Sequence, residues 1–195
     1  MFNFNKYCFY KYLFITMKIS TNEFEIITLE PKDAKSLSEM MVLNYDNFKR
    51  YFPITLSKNQ SISDSLKYIE EKRKENESKS EFTFGIKDIS NGNIVGLIII
   101  KEINWKTKQG EFAYCTSSKY ENKGWMSKAI ALTTKYGFET LGFEKFQIIA
   151  HKTNVGSCKV AEKCGFEWKK TLLNEYTPPN EAPLDMELYE LEYER

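Results

Sequence analysis

Between positions 111 and 165 the chain changes its hydrophobic period four times. Each change falls at a glycine or an asparagine. Residues 111–116 read as a strand. Trp125, Ala129, Leu132 and Tyr136 then share one face of a helix over 125–141. Gly142 stands where a left-handed cap would end that helix. Phe146-Gln-Ile-Ile-Ala150 reads as the next strand, and 154–164 as a short helix stopped by Gly165. A chain that alternates in this way has to lay helices against a sheet to bury both apolar faces.

The flanking segments extend the pattern. Residues 24–29 are rich in β-branched side chains and read as a strand. Pro31 fits the first turn of a helix that carries Ala34, Leu37 and Met41 at helical spacing. Ser61-Ile-Ser-Asp64 resembles a capping box, and Ile62, Leu66 and Ile69 give the second helix its apolar face. Asn91-Gly92 is a strong hairpin signal between strands over 81–87 and 94–105. Residues 168–175 and 184–193 alternate like a final hairpin, with Asp185, Glu187, Glu190, Glu192 and Glu194 expected on its wet face. The expected order is β-α-α-β-β-β-α-β-α-β-β, a mixed sheet covered by helices.

Composition narrows the function classes. The 195 residues suit one domain, taken as 17–195. A net charge of +1 argues against a strongly basic nucleic-acid binder and against an acidic disordered chain. The single histidine, His151, excludes sites that need two, and nothing points to a metal. It ends a strand away from the other polar candidates and reads as structural. Cys8, Cys115, Cys158 and Cys164 form no C-x-x-C pair and read as reduced thiols of a cytoplasmic protein. Seven aromatics precede Met17, in a stretch too short to span a membrane and without a cleavage site. Residues 1–16 are therefore expected to be a dispensable or non-native extension.

The chemistry concentrates at residues 121–127, Glu-Asn-Lys-Gly-Trp-Met-Ser, between a strand and a helix. A glycine there lets backbone N–H groups turn toward an anion, which the helix N-terminus also attracts. Taken alone, one glycine at such a junction more often marks only a turn. The surrounding residues add weight: Gly110-Glu-Phe-Ala-Tyr114, then Tyr120 to Ala129, then Asn154-Val-Gly-Ser-Cys-Lys-Val-Ala-Glu-Lys-Cys-Gly-Phe166. In order and spacing these resemble the GNAT superfamily of acyl-CoA N-acyltransferases, and within it the ribosomal-protein N-acetyltransferases. The element order matches over about 18–193 and the specific motifs over 110–166. Two positions depart from the family's phosphate loop. Glu121 stands in the place of Gln or Arg and is expected to point away. Met126 replaces a small residue and is expected to turn into the core.

The resemblance implies an α/β (α+β) fold with a mostly antiparallel sheet, helices on both faces and a splayed central strand pair. It implies direct acetyl transfer from acetyl-CoA to an amine. The backbone of Tyr114, Cys115 and Thr116 would then hold the pantetheine arm. Asn122, Lys123, Gly124, Trp125, Met126 and Ser127 would take the pyrophosphate, and Asn154 would bond the pantetheine or the adjoining loop. Ser157 matches the position beside the CoA sulfur and is expected to donate a proton to it; it also reads as a capping serine. Glu111 matches an acidic position and is expected to be the base; it also reads as a solvated strand carboxylate. Tyr114 reads as a tunnel wall, and Tyr51-Phe52-Pro53 falls where the family builds its acceptor cleft. The acceptor is expected to be a protein N-terminus or a small amine such as a polyamine or an aminoglycoside-like drug. No nucleic acid or membrane is expected as a partner, and the chain would be a monomer or homodimer. The competing class is a CoA-binding module without catalysis.

Overall fold

The computed structural model describes residues 17–194, so the extension expected at 1–16 lies outside the described residues. Eight strands form one sheet: β1 (Lys18–Ser20), β2 (Phe24–Thr28), β3 (Phe82–Asp88), β4 (Ile94–Asn104), β5 (Gln109–Thr116), β6 (Lys145–Ala150), β7 (Glu167–Tyr176) and β8 (Leu184–Glu192). Six helices flank it: α1 (Ala34–Leu43), α2 (Tyr45–Phe48), α3 (Pro53–Ser57), α4 (Ile62–Ser78), α5 (Trp125–Tyr136) and α6 (Val155–Lys163). The spatial order is β1-β2-β3-β4-β5-β6-β8-β7. Every pair is antiparallel except β5–β6.

Local chemistry sets the element ends. Ser61 Oγ accepts the Asp64 N–H at 3.1 Å and starts α4. Helix α5 opens at Gly124 in the left-handed region, φ 77°. It continues through a π turn, Gly137–Leu141, and ends at Gly142, φ 85°. The unbroken apolar run of β4 reflects burial on both faces. Val95, Ile98 and Ile100 join the core under α5 and α6 with Phe112, Met126 and Phe146. Ile94 and Leu97 join the core under α1 and α4 with Leu37, Met41 and Tyr68.

Three features differ from the sequence expectation. Strand β1 precedes the first strand expected, at 24–29. The first helical region divides into a 3-10 turn, Pro31–Asp33, followed by α1, α2 and α3. Strand β8 does not close the sheet; it threads between β6 and β7. Its acidic residues therefore do not form a simple wet face. Glu187 accepts from Trp168 Nε1 at 2.6 Å and from Thr171 Oγ1 at 3.0 Å, and Glu190 accepts from Gln147 Nε2 at 2.6 Å.

Strands β5 and β6 pair only over four residues, from Gln109↔Lys145 to Phe112↔Ile148. Beyond that point each strand follows its other neighbour. Tyr114, Cys115 and Thr116 stay paired with β4, while Ile149 and Ala150 stay paired with β8. The sheet opens there into a V. One edge of the opening is tied to α1 through Asn44, a buried side chain. Its Nδ2 donates to Met40 O at 2.7 Å and to Ser117 Oγ at 3.3 Å, and its Oδ1 accepts the Ser118 N–H at 2.9 Å.

Replacing Asn44 by Ala removes a partner from the Ser118 N–H and from the buried Ser117 hydroxyl, which costs about 1–3 kcal/mol. Asn44→Ala should lower the urea midpoint accordingly with an unchanged m-value. A midpoint equal to that of the parent protein would show that the tie between α1 and the end of β5 carries no stability.

Candidate active site

The V exposes backbone that a continuous sheet would have paired. The Ser117 N–H donates to Val95 O at 2.8 Å, toward β4. Alternation along a strand then turns the backbone groups of Cys115 to β4 as well, and those of Tyr114 and Thr116 into the opening. The pairing with β6 has already ended there, so these groups face a cavity. It holds about 600 Å³ and runs from the V to the start of α5 and along α6.

The loop before α5 is shaped for an anion. Asn122 and Gly124 both take positive φ, 59° and 77°. At Gly124 the backbone would strain any larger residue. No side chain caps α5, so the N–H groups of its first turn are left for a ligand among the described residues. Tyr120 buttresses the loop. Its Oη donates to Asp88 Oδ2 at 2.6 Å, and its ring lies 5.0 Å from that of Trp125. Met126 is buried in the core under α5, while Glu121 remains in solvent on the cavity rim. Lys123 turns onto the Tyr120 ring, 4.6 Å from its centroid, and does not line the cavity. Lys159 and Lys163 of α6 line it instead.

Asn154 caps α6, its Oδ1 accepting the Ser157 N–H at 3.2 Å. That leaves the Ser157 hydroxyl free to donate to Tyr114 Oη at 3.0 Å, while Tyr114 Oη donates to Ser157 O at 3.0 Å. The two residues thus bridge β5 and α6 at the wall of the V. Burial raises the Tyr114 pKa above the ordinary phenol value, so the hydroxyl keeps its proton. The pair was not legible as a unit, because 43 residues separate its members.

A second cavity, of about 190 Å³, meets the first at Tyr51, Phe52, Tyr114, Asn154 and Ser157. Glu111 lines it, with a side chain only 13% exposed and an ion pair to Lys101 Nζ at 2.7 Å. Burial raises the Glu111 pKa, and the Lys101 ammonium opposes that rise. Glu175 and His151 also line this cavity. Neither was singled out as functional: Glu175 sits in the exposed strand β7, and His151 lies just past β6. Only the threading of β8 between those strands explains their meeting. Cys115 points its side chain into the core under α1 and α4, where burial pushes the thiol pKa up to about 12. A thiol held neutral in this way is a poor nucleophile.

The comparisons with known proteins agree with this geometry. The sequence model of the family described as the Acetyltransferase (GNAT) domain matches residues 24–167. The Bacillus subtilis protein named Probable N-acetyltransferase YjcK is 27% identical over 139 residues, covering 71% of this chain and 77% of its own. The crystal structure of ribosomal-protein-S5-alanine acetyltransferase from Vibrio fischeri superposes with a TM-score of 0.84 at 17% identity, over 90% of this chain and 96% of that one. The microcin C7 self-immunity acetyltransferase MccE, solved with acetyl-CoA and AMP, superposes with a TM-score of 0.78 at 22% identity, over 89% of this chain and 94% of that one.

The ion pair to Lys101 makes the Glu111 titration a direct probe of the smaller cavity. Carboxyl carbon NMR should place Glu111 above the usual value of about 4.3. Lys101→Met removes the one cation that lowers it and should shift the titration further upward. A midpoint at the usual value, unmoved by the substitution, would mean that Glu111 is simply solvated.

Proposed function

The chain belongs to the GNAT acetyltransferase family, and on that premise we propose that it transfers the acetyl group of acetyl-CoA directly to a primary amine held in the smaller cavity. The protein is an acyltransferase, and acetyl-CoA is its family's acyl donor. The observation that carries the reading is the meeting of two cavities at Tyr114 and Ser157, one lined by free backbone amides and the other by carboxylates. When bound, acetyl-CoA supplies an activated acyl carbon; the rest is done by side chains and backbone of this chain.

The larger cavity fits that group. The N–H groups of Trp125, Met126 and Ser127, with the loop from Asn122 to Gly124, hold the pyrophosphate. Lys159 and Lys163 add positive charge from α6, and Lys123 adds its own at longer range. The backbone of Tyr114 and Thr116 holds the pantetheine arm, and an N–H in the V stabilises charge on the thioester oxygen. Cys115 contributes wall rather than amide, because its backbone is turned to β4. Asn154 acts by fixing the first turn of α6 and with it Ser157. Ser157 Oγ supplies a proton to the departing sulfur, with Tyr114 Oη behind it in the same hydroxyl pair. Glu111 takes the proton that the amine gives up, directly or through water. The neutral Cys115 thiol argues for direct transfer without an acyl-enzyme.

The volume and charge of the smaller cavity bear on the acceptor. The smaller cavity, of about 190 Å³, suits the end of an unbranched amine. Lys101 offsets Glu111, but Glu175 has no cationic partner among the described residues. The cavity therefore favours a small cationic amine.

Acetyl-CoA at about a hundred times its dissociation constant should stabilise the fold by about 2.7 kcal/mol. Desulfo-CoA serves as the binding control, and thiol release with amines then reads turnover. The absence of any thermal shift at millimolar acetyl-CoA would refute the reading. Ser157→Ala should keep the shift while lowering kcat by about a hundredfold. An equal loss of binding and turnover, or no loss of either, would remove Ser157 from proton transfer.

A further inference from the structure

Tyr51 lies between α2 and α3 and lines both cavities. Its Oη is buried and has no hydrogen-bond partner among the described residues. A buried hydroxyl without a partner opposes folding, so each instance calls for a reason.

Slack in the segment is not the reason, because Tyr51 is held on two sides. Arg50 stacks on its ring, with Cζ 5.2 Å from the centroid, and is itself fixed by two bonds to Glu181, at 2.9 and 2.7 Å. The Tyr176 ring lies 6.0 Å away, and Tyr176 Oη donates to Arg50 O at 2.6 Å. The ring is thus clamped by the β7–β8 hairpin, in a residue that lines both cavities.

We propose that Tyr51 is a catalytic residue whose hydroxyl binds the nitrogen of the acceptor amine and orients it for attack. The inference rests on the acetyl-transfer reading given above. A primary amine reaches the junction as an ammonium, drawn by Glu175 and Glu111. After it loses a proton its lone pair must face the acyl carbon, and its two remaining N–H groups need acceptors. Tyr51 Oη can accept from one of them, with no competing partner to displace among the described residues. In the transfer a C–N bond forms and the C–S bond breaks. Starting from the ammonium, the nitrogen gives up two protons, one before attack and one as the amide forms, to Glu111 or solvent; the sulfur takes up one, so the products are an amide, a free thiol and one released proton. Tyr51 holds the nitrogen throughout and exchanges no proton.

Tyr51→Phe keeps the ring, its clamp and its packing, and removes only the oxygen. The parent and Y51F proteins would be compared by thiol release from acetyl-CoA with butylamine, spermidine or an alanine-initiated peptide, and with no amine. The expected result for Y51F is a fall in kcat/KM for the amine of about ten- to hundredfold. The fall with amine should exceed any change in amine-independent thiol release or in the thermal shift given by acetyl-CoA. The melting temperature should equal or exceed that of the parent, since a buried unpaired hydroxyl has gone. Unchanged amine kinetics in Y51F, or an equal loss of amine-independent thiol release, would overturn the role of Tyr51 and leave the transferase reading intact. A parent protein that no amine stimulates would overturn both.

Discussion

A parallel strand pair that stops after four residues leaves a debt of backbone hydrogen bonds, and the remainder of this molecule is arranged around it. Strand β5 remains bonded to β4 and β6 to β8, so the opening cannot close by local adjustment. Buried amide groups without partners are strongly disfavoured, so the exposed edge of β5 has to meet water or a ligand. The same split positions what stands around it. Helix α5 starts at one end of the opening, α6 follows from β6, and Asn44 anchors the far end of β5 to α1.

Two kinds of electrostatics meet in the V. The larger cavity is lined by uncapped helix N–H groups and by lysines on α6, an environment for anions. The smaller carries Glu111 and Glu175 with only Lys101 to offset them, an environment for cations. Ser157, Tyr114 and Tyr51 line both cavities where the two join. Two opposite electrostatic environments thus adjoin without sharing one pocket. Burial raises the Glu111 pKa, and the Lys101 ammonium opposes that rise.

Much of the frame was legible because it rests on local rules. Gly124 before α5, Asn154 at the start of α6, Gly142 after the π turn and Gly92 in the hairpin each answer to a backbone requirement of their own segment. Met126 could be assigned to the core because a large apolar residue in the first turn of an amphipathic helix has one favourable face. Other residues gave no such signal. Lys123 reads as a phosphate ligand and stacks on Tyr120, while Lys159 and Lys163 reach the cavity from α6, beyond the next strand. Glu187 and Glu190 read as surface carboxylates, yet the strands on either side of β8 claim them.

The sequence by itself determined the strands from β2 onward and the helices α4, α5 and α6, the glycine turn before α5 and the family pattern over 110–166. These depend on periodicity and on backbone preferences within a few residues. Tertiary structure alone decided where β8 inserts, and with it the meeting of Glu111, His151 and Glu175 in one cavity. It alone paired Ser157 with Tyr114, and left the Tyr51 hydroxyl buried without a partner. The physical reason is range. A turn or a cap is an energy term between neighbours in the chain, whereas a cavity wall is a sum over strands whose side-by-side order no local term specifies.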